Sequence, residues 1–309
     1  MTLAPHVRTL ARGQGRSRSL TQDEAQDAMA QMLAGGADPE AIGAILMLLR
    51  MKGETAEEIA GFTAAAQMAA PVASGVDLDW SSYAAGRTRG APWFLHSARL
   101  VADAGYRVLI HGWNGPDMKI RDGLGAVGIT MAETGAEAAR LLDRDGIAYL
   151  KLETAHPALF HLLNLRPVFG LRSCVNTVCR MLNPARAGAS VQGVFHPSYR
   201  ELQADAAALL GWQQMTVIKG GGGEFERHPG KEIAAFGLRD GLSWEAAFPA
   251  LSEEVRRLKP SEDAGFGPFE EQIILGTAAL ALETLAGAES TGRAGELWQD
   301  CRFRPEFTV

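Results

Sequence analysis

Between Leu20 and Gln67 the chain carries three punctuated helical segments in a row, LTQDEAQDAMAQMLAGGADPEAIGAILMLLRMKGETAEEIAGFTAAAQ, and this run limits the fold more than any other stretch. Thr21 followed three residues later by Glu24 is a capping box, in which hydroxyl and carboxylate each satisfy a backbone N–H at the helix start. The Gly35-Gly36 pair ends that helix. Asp38 then supplies an N-cap and Pro39 the first helical position, and Ile42, Ile45, Leu46 and Leu49 form an i, i+3, i+4, i+7 stripe. Gly53 stops it, Thr55 and Glu58 repeat the capping box, and the third helix runs on to Pro71. The apolar stripes of such short helices must be covered, by the rest of this chain or by a second copy.

Beyond Pro71 the texture changes. Residues 107–110, 147–150, 191–195 and 215–218 read as buried strands, and residues 93–104, 134–144 and 199–210 as the helices between them. This alternation predicts βαβ units. The expected fold is therefore α/β: a small all-helical N-terminal domain, plus a larger α/β domain with a mainly parallel central sheet flanked by helices. The helical domain takes residues 1–71, with 156–185 packing back on it, and the α/β domain takes 72–155 and 186–309.

A hydrophobic fraction of 47% over 309 residues suits a substantial core. Three cysteines, Cys174, Cys179 and Cys301, make no disulfide framework in a chain of this size, and no Cys/His spacing resembles a zinc site. No apolar run is long enough to span a membrane, and the first residues lack a signal-peptide core. A reducing cytoplasm is the expected compartment, and the start of the chain, with Arg8, Arg12, Arg16 and Arg18, reads as a flexible basic arm.

Charge is uneven. The net value is −6, but residues 23–79 carry ten acids against Arg50 and Lys52, a balance of −8. Residues 81–122 hold six bases against Asp103, Asp117 and Asp122, and residues 151–187 hold Lys151, Arg166, Arg172, Arg180 and Arg186 against Glu153 alone. An acidic chain can thus still concentrate positive potential locally.

The opening helices closely resemble the N-terminal domain of the anthranilate phosphoribosyltransferases, of glycosyltransferase family 3. His156-Pro157-Ala158 and the stretch from Phe169-Gly170-Leu171-Arg172-Ser173 through Asn176 to Asn183-Pro184-Ala185 match that family's hinge motifs. The resemblance implies the family fold, a homodimer formed through the helical domain, and phosphoribosyl transfer with magnesium. At the substrate loops the chain departs from the pattern. Where the family has a GTGGD loop around diphosphate, residues 81–90 keep only Gly86 and Gly90, with Arg87 and Arg89 between them. A glycine-rich turn lets backbone N–H groups approach phosphate, and bulkier residues block that approach. The KHGNR segment becomes Ile110-His111-Gly112-Trp113-Asn114, followed by Lys119 and Arg121 in place of a serine-rich phosphate loop. Trp113 is a stacking platform or a packed aromatic. Arg166 falls where one of two adjacent family arginines sits, and Pro167 takes the other position. In the magnesium-binding DGLDE stretch the Asp position is Phe225 and only Glu226 aligns, while Lys219 and Gly220 to Gly223 form an anion-binding nest or a surface loop.

The pattern resembles the paralogous branch that keeps the fold but binds nucleic acid. The expected anion or nucleic-acid contacts are Gly86, Arg87, Arg89, His111, Lys119, Arg121, His156, Arg166, Arg172 and Lys219, with Glu226 a weak metal ligand and no catalytic residue assigned. No cofactor is expected, and magnesium only in an active enzyme. The alternative is an active glycosyl or phosphoribosyl transferase with an altered substrate, and a protein-interaction scaffold is a third reading.

Overall fold

The computed structural model describes residues 2–13, 15–70, 75–84, 90–115, 117–259, 265–301, 303 and 305. A helix the sequence did not announce comes first: α1 (Ala4–Ala11) replaces the expected flexible arm. It has no capping side chain and few apolar residues, so its local signal is faint. Tertiary contacts fix it: Leu3 and Leu10 are buried, and His6 Nε2 lies 2.7 Å from Asp27 Oδ2. Arg18 is also engaged, holding both carboxylate oxygens of Glu24 at 2.6 and 2.7 Å.

The capped helices form as the sequence dictates. In α2 (Gln22–Leu33) and α4 (Ala56–Met68), both halves of the capping box at Thr21/Glu24 and Thr55/Glu58 are made. Between them, α3 (Pro39–Lys52) starts at Asp38 without a side-chain cap bond, set by Pro39 instead, and ends at Gly53 in a positive-φ conformation. Glu58 does more than cap. Fully buried, its carboxylate accepts from Leu20 N–H (2.9 Å), Thr55 N–H (2.9 Å) and Lys52 Nζ (2.8 Å), binding the start of α2, the end of α3 and the start of α4 at one point.

The α/β part then unfolds in chain order: β1 (Leu78–Ser82), α5 (Phe94–Asp103), β2 (Val108–Gly112), α6 (Lys119–Leu124), β3 (Thr130–Ala132), α7 (Gly135–Asp145) and β4 (Ile147–Lys151). Four short helices follow, α8 (Leu152–Ala155), α9 (Pro157–Leu163), α10 (Arg166–Phe169) and α11 (Val175–Arg180). The chain returns to the sheet with β5 (Ala189–Val194), α12 (Tyr199–Leu209) and β6 (Gln214–Lys219), adds the hairpin β7 (Ile233–Arg239) and β8 (Leu242–Phe248), and closes with α13 (Pro268–Ala286) and α14 (Arg293–Gln299). The strand order is β3-β4-β2-β1-β5-β6-β7-β8. The first six strands in that order pair in parallel, and β7 alone runs opposite to them, antiparallel to β6 and to β8, to which it is joined at Asp240-Gly241, both with positive φ as a type I′ turn requires. On one face of the sheet, α5 and α13 cover Trp80, which packs against Phe94 and edge-on against Phe225. The other face shares a core with the helical domain: Met29, Leu46, Phe62 and Ala66 cluster with Leu159, Val178, Ala207, Met215 and Leu238.

His156 ties the short helices to that domain. Its Nδ1 accepts Leu159 N–H at the start of α9, and Nε2–H points at Ala66 O, 3.1 Å away in α4. Burial lowers its pKa, so the neutral ring is the folded form. Because the folded pKa lies below the unfolded value, the stability this group contributes is present above about pH 6.5 and lost as pH falls toward the folded pKa. Urea midpoints of wild type should decline over that window, and His156→Gln should flatten the decline; identical slopes would refute the assignment.

Gly61 supplies a second test. In an exposed helix, Gly→Ala gains about 1 kcal/mol. Here an added Cβ would lie 2.1 Å from Gln22 O, because α2 crosses α4 backbone-to-backbone at this position. Gly61→Ala should therefore destabilise, by more than the roughly 1 kcal/mol expected of the cap deletion Thr55→Ala, in equilibrium denaturation.

Candidate anion-binding site

The chain's path divides at β1 and β5. From β1 it proceeds through β2 and β4 toward one edge, and from β5 through β6 toward the other, so the crevice beyond their carboxyl ends is the topological switch point where open α/β sheets take ligands. Polar residues are buried there: Asp79, Ser81 and Ser82 on β1, His111 on β2, Ser190 and Gln192 on β5. Asp79 Oδ2 accepts the Ser190 hydroxyl at 2.8 Å, and Asp79 Oδ1 lies 3.0 Å from His111 Nε2, close but not aligned as a hydrogen bond. His111 Nδ1 is 2.9 Å from the Tyr83 hydroxyl. Burial pushes the Tyr83 phenol well above its ordinary range, so the hydroxyl stays protonated beside the ring. His111 is thus an interior residue behind Tyr83.

The mouth of the switch point is filled from within. After β6, residues 220–226 fold back over the end of β5, an approach possible because Gly193 has no side chain: a Cβ there would lie 2.0 Å from the Glu224 carbonyl carbon. Glu224 is buried, and its Oε1 accepts Ala84 N–H at 2.8 Å and Asn114 Nδ2 at 3.3 Å. Ala84 follows β1, where a phosphate loop would offer its N–H groups, so a protein carboxylate occupies an anion position. Glu226 repeats the device: buried, its Oε2 accepts Phe94 N–H at 3.1 Å at the start of α5. The expected glycine nest does not form, since the N–H groups of Gly221, Gly223 and Glu224 donate to carbonyls of the same loop. Nor is the loop a loose surface segment, because Phe225 is wholly buried against Trp80. Among the described residues no three His, Cys, Asp or Glu side chains are grouped to hold a metal. With Glu224 and Glu226 turned onto backbone N–H groups and Phe225 in the core, these residues do not fit a magnesium site.

Positive charge gathers elsewhere. A cavity of about 280 Å³ opens between the helical domain and the sheet, walled by Arg50 from α3, Arg166 from α10, Arg172, Arg180 at the end of α11, Phe195 and His196 after β5, and Tyr199 and Gln203 of α12. Among the described residues four arginines line it and no carboxylate does. Exposure falls inward, from exposed Arg166 through half-buried Arg172 to Arg180 at 5%. Among the described residues Arg180 Nη1 has no hydrogen-bond partner. Burial lowers the pKa of Arg180, the charge of Arg172 adds to that, and the carboxylate of Glu224 behind it opposes the shift. Arg172 is lowered likewise, by burial and then by Arg166. Charges crowded this way at low exposure favour an incoming anion.

Of the residues the sequence singled out, the structure brings Arg166 and Arg172 together. Lys119 borders a separate small pocket with Ala84 and Asn114, and Arg121 is paired with Glu153 at 2.7 Å. Lys219 is exposed at the end of β6, outside the cavity wall, and His156 serves the domain junction. Gly86, Arg87 and Arg89 lie outside the described residues. Trp113 packs edge-on against Phe160, with centroids 5.4 Å apart. Sequence reasoning counted Arg50 and Arg180 only as charge, took Phe195 only as the end of a strand and passed over His196. The readable signal was three arginines at 166, 172 and 180 in a stretch with one carboxylate.

Comparison with known proteins agrees with this architecture. The helical bundle domain of a glycosyl transferase family matches residues 5–70, and the a/b domain of the same family matches residues 95–275. Anthranilate phosphoribosyltransferase of Herpetosiphon aurantiacus is 30% identical over 266 residues, 84% of this chain and 78% of that protein. The Roseiflexus enzyme of that name is 33% identical over 213 residues, 67% and 62% of the two. Among solved structures, anthranilate phosphoribosyltransferase from Thermus thermophilus superposes with a TM-score of 0.75 at 23% identity, over 94% of this chain and 93% of the other. The Saccharomyces cerevisiae protein, solved in complex with PRPP and Mg, gives 0.74 at 18% identity, over 97% and 94%. With both its helical and its α/β parts matched, the chain belongs to the glycosyl transferase family that includes the anthranilate phosphoribosyltransferases.

Proposed function

We propose that this chain is a family member in which anion binding has moved from the switch point to the inter-domain cavity, where it binds nucleic acid instead of transferring a phosphoribosyl group. The observation that carries this reading is the contrast between the two places: Glu224 stands in the switch point, while the cavity wall holds, among the described residues, four arginines and no carboxylate. Guanidinium groups engage phosphate oxygens bidentately and need no metal to do so. Phosphate contacts of this kind make affinity fall with salt, with a slope of log K against log salt of about −0.7 to −0.9 per neutralised phosphate. Mobility-shift titrations with single- and double-stranded oligonucleotides at two salt concentrations should show that slope. Arg166→Ala and Arg172→Ala should each reduce its magnitude by about one contact. Salt-insensitive or absent binding refutes the proposal.

The second reading, an active transferase with an altered substrate, is favoured by the shared identity with anthranilate phosphoribosyltransferases over most of the chain. Calorimetry with PRPP and magnesium separates the two. Wild type should give no heat at millimolar ligand, since Glu224 and Glu226 hold N–H groups that phosphate would need. Saturable heat would favour the transferase.

A homodimer through the helical domain belongs to the same proposal. An apolar hollow between α2 and α4, lined by Ala30, Leu33, Ala65 and Met68, supports it, with Met68 73% exposed in the isolated chain. Sedimentation at micromolar concentration should show a dimer, and a monomer would remove this part.

A further inference from the structure

The arginines of the inter-domain cavity do not lie along an open track. They descend, and the last of them is enclosed. Arg166 is exposed, Arg172 half-buried, and Arg180 is 5% exposed on a floor it shares with buried Thr177, Val194 and Gln203. Among the described residues the Nη1 atom of Arg180 meets no acceptor although it is shut off from water, and the carboxylates of Glu54 and Glu224 are engaged with other groups. Glu54 accepts the Tyr199 hydroxyl at 3.4 Å, and Glu224 accepts Ala84 N–H and Asn114 Nδ2. A buried guanidinium with an unfilled donor is costly unless an anion completes it.

From this geometry we infer that the cavity receives a terminal phosphate, a phosphate monoester, and not the phosphodiester backbone of a passing strand. The inference rests on the nucleic-acid reading for the source of that phosphate. A diester carries one charge and continues covalently on both sides, so it cannot descend to Arg180 in a cavity of about 280 Å³ without threading a strand through it. A monoester ends there. At neutral pH it carries about 1.5 to 2 negative charges on three oxygens, which matches several guanidinium forks converging from one wall. The rim supplies the complement for what is attached. Phe195, at the end of β5, is 57% exposed and stands edge-on to His196 with ring centroids 5.0 Å apart, leaving an aromatic face for the terminal base.

The test compares oligonucleotides of one sequence bearing a 5′-phosphate, a 3′-phosphate or only hydroxyl ends, together with a nucleoside monophosphate, by fluorescence competition on the full chain at fixed salt. One phosphorylated end should bind at least about tenfold tighter than the hydroxyl-ended strand, as the second phosphate charge and its guanidinium contact require. Arg180→Gln should erase that preference, and Arg172→Gln, at a less enclosed position, should reduce it several-fold. Circular dichroism of both variants confirms folding, and the wild-type comparison stands without either. Equal, salt-dependent affinity for all ends overturns the inference and leaves the nucleic-acid reading intact. A monophosphate that binds as tightly as the phosphorylated strand upholds the phosphate site and overturns the nucleic-acid reading. No discrimination and no binding at all overturns both.

Discussion

A single buried carboxylate organises the functional half of this protein. Glu224 is a charge removed from water, tolerated because its Oε1 takes the Ala84 N–H and the Asn114 amide and because the Arg180 charge is close enough to act on it. Everything around it is shaped to that end. Gly193 lets the loop close over β5, Phe225 anchors the loop in the core beside Trp80, and Glu226 satisfies the start of α5. The Glu224 charge also opposes the burial-driven fall of the Arg180 pKa, so the carboxylate that occupies one anion position favours a charged guanidinium at the bottom of the other.

Much of the scaffold was legible because its signals are local. The capping boxes at Thr21/Glu24 and Thr55/Glu58 sit where they were read, and the apolar runs at β2, β4, β5 and β6 are strands. What escaped lacked a local signal. β1 reads Leu-Asp-Trp-Ser-Ser, and its three polar residues look like loop until the switch point gives them partners. α1 has no cap and is held by the His6–Asp27 contact across 21 residues. α13 is apolar on nearly every face, so it has no period to read, and the hairpin of β7 and β8 went unread because its alanines blur the alternation.

The site was legible in sign but not in place. Charge counting finds Arg166 and Arg172, because a balance of bases over acids survives in one dimension. It cannot find Arg180 as the floor of a cavity, since depth is a property of how α11 packs against α4, α9 and β1. Nor can it show that Glu224 and Glu226 turn inward to backbone donors. Carboxylates beside a degenerate metal motif look like weakened ligands, and only the fold reveals them as occupants of the positions an anion would fill.

The helical domain and the sheet share one apolar core, with Phe62 and Ala66 in the same cluster as Ala207, Met215 and Leu238. Prising them apart would expose that surface at about 25 cal/mol for each Å². The two parts are consequently poor candidates for a clamshell that shuts on its ligand. The cavity stands ready before anything arrives. Encounter should then be a single step, with an observed rate linear in ligand concentration and no plateau from a slow closing motion, and ligands should differ chiefly in how long they stay.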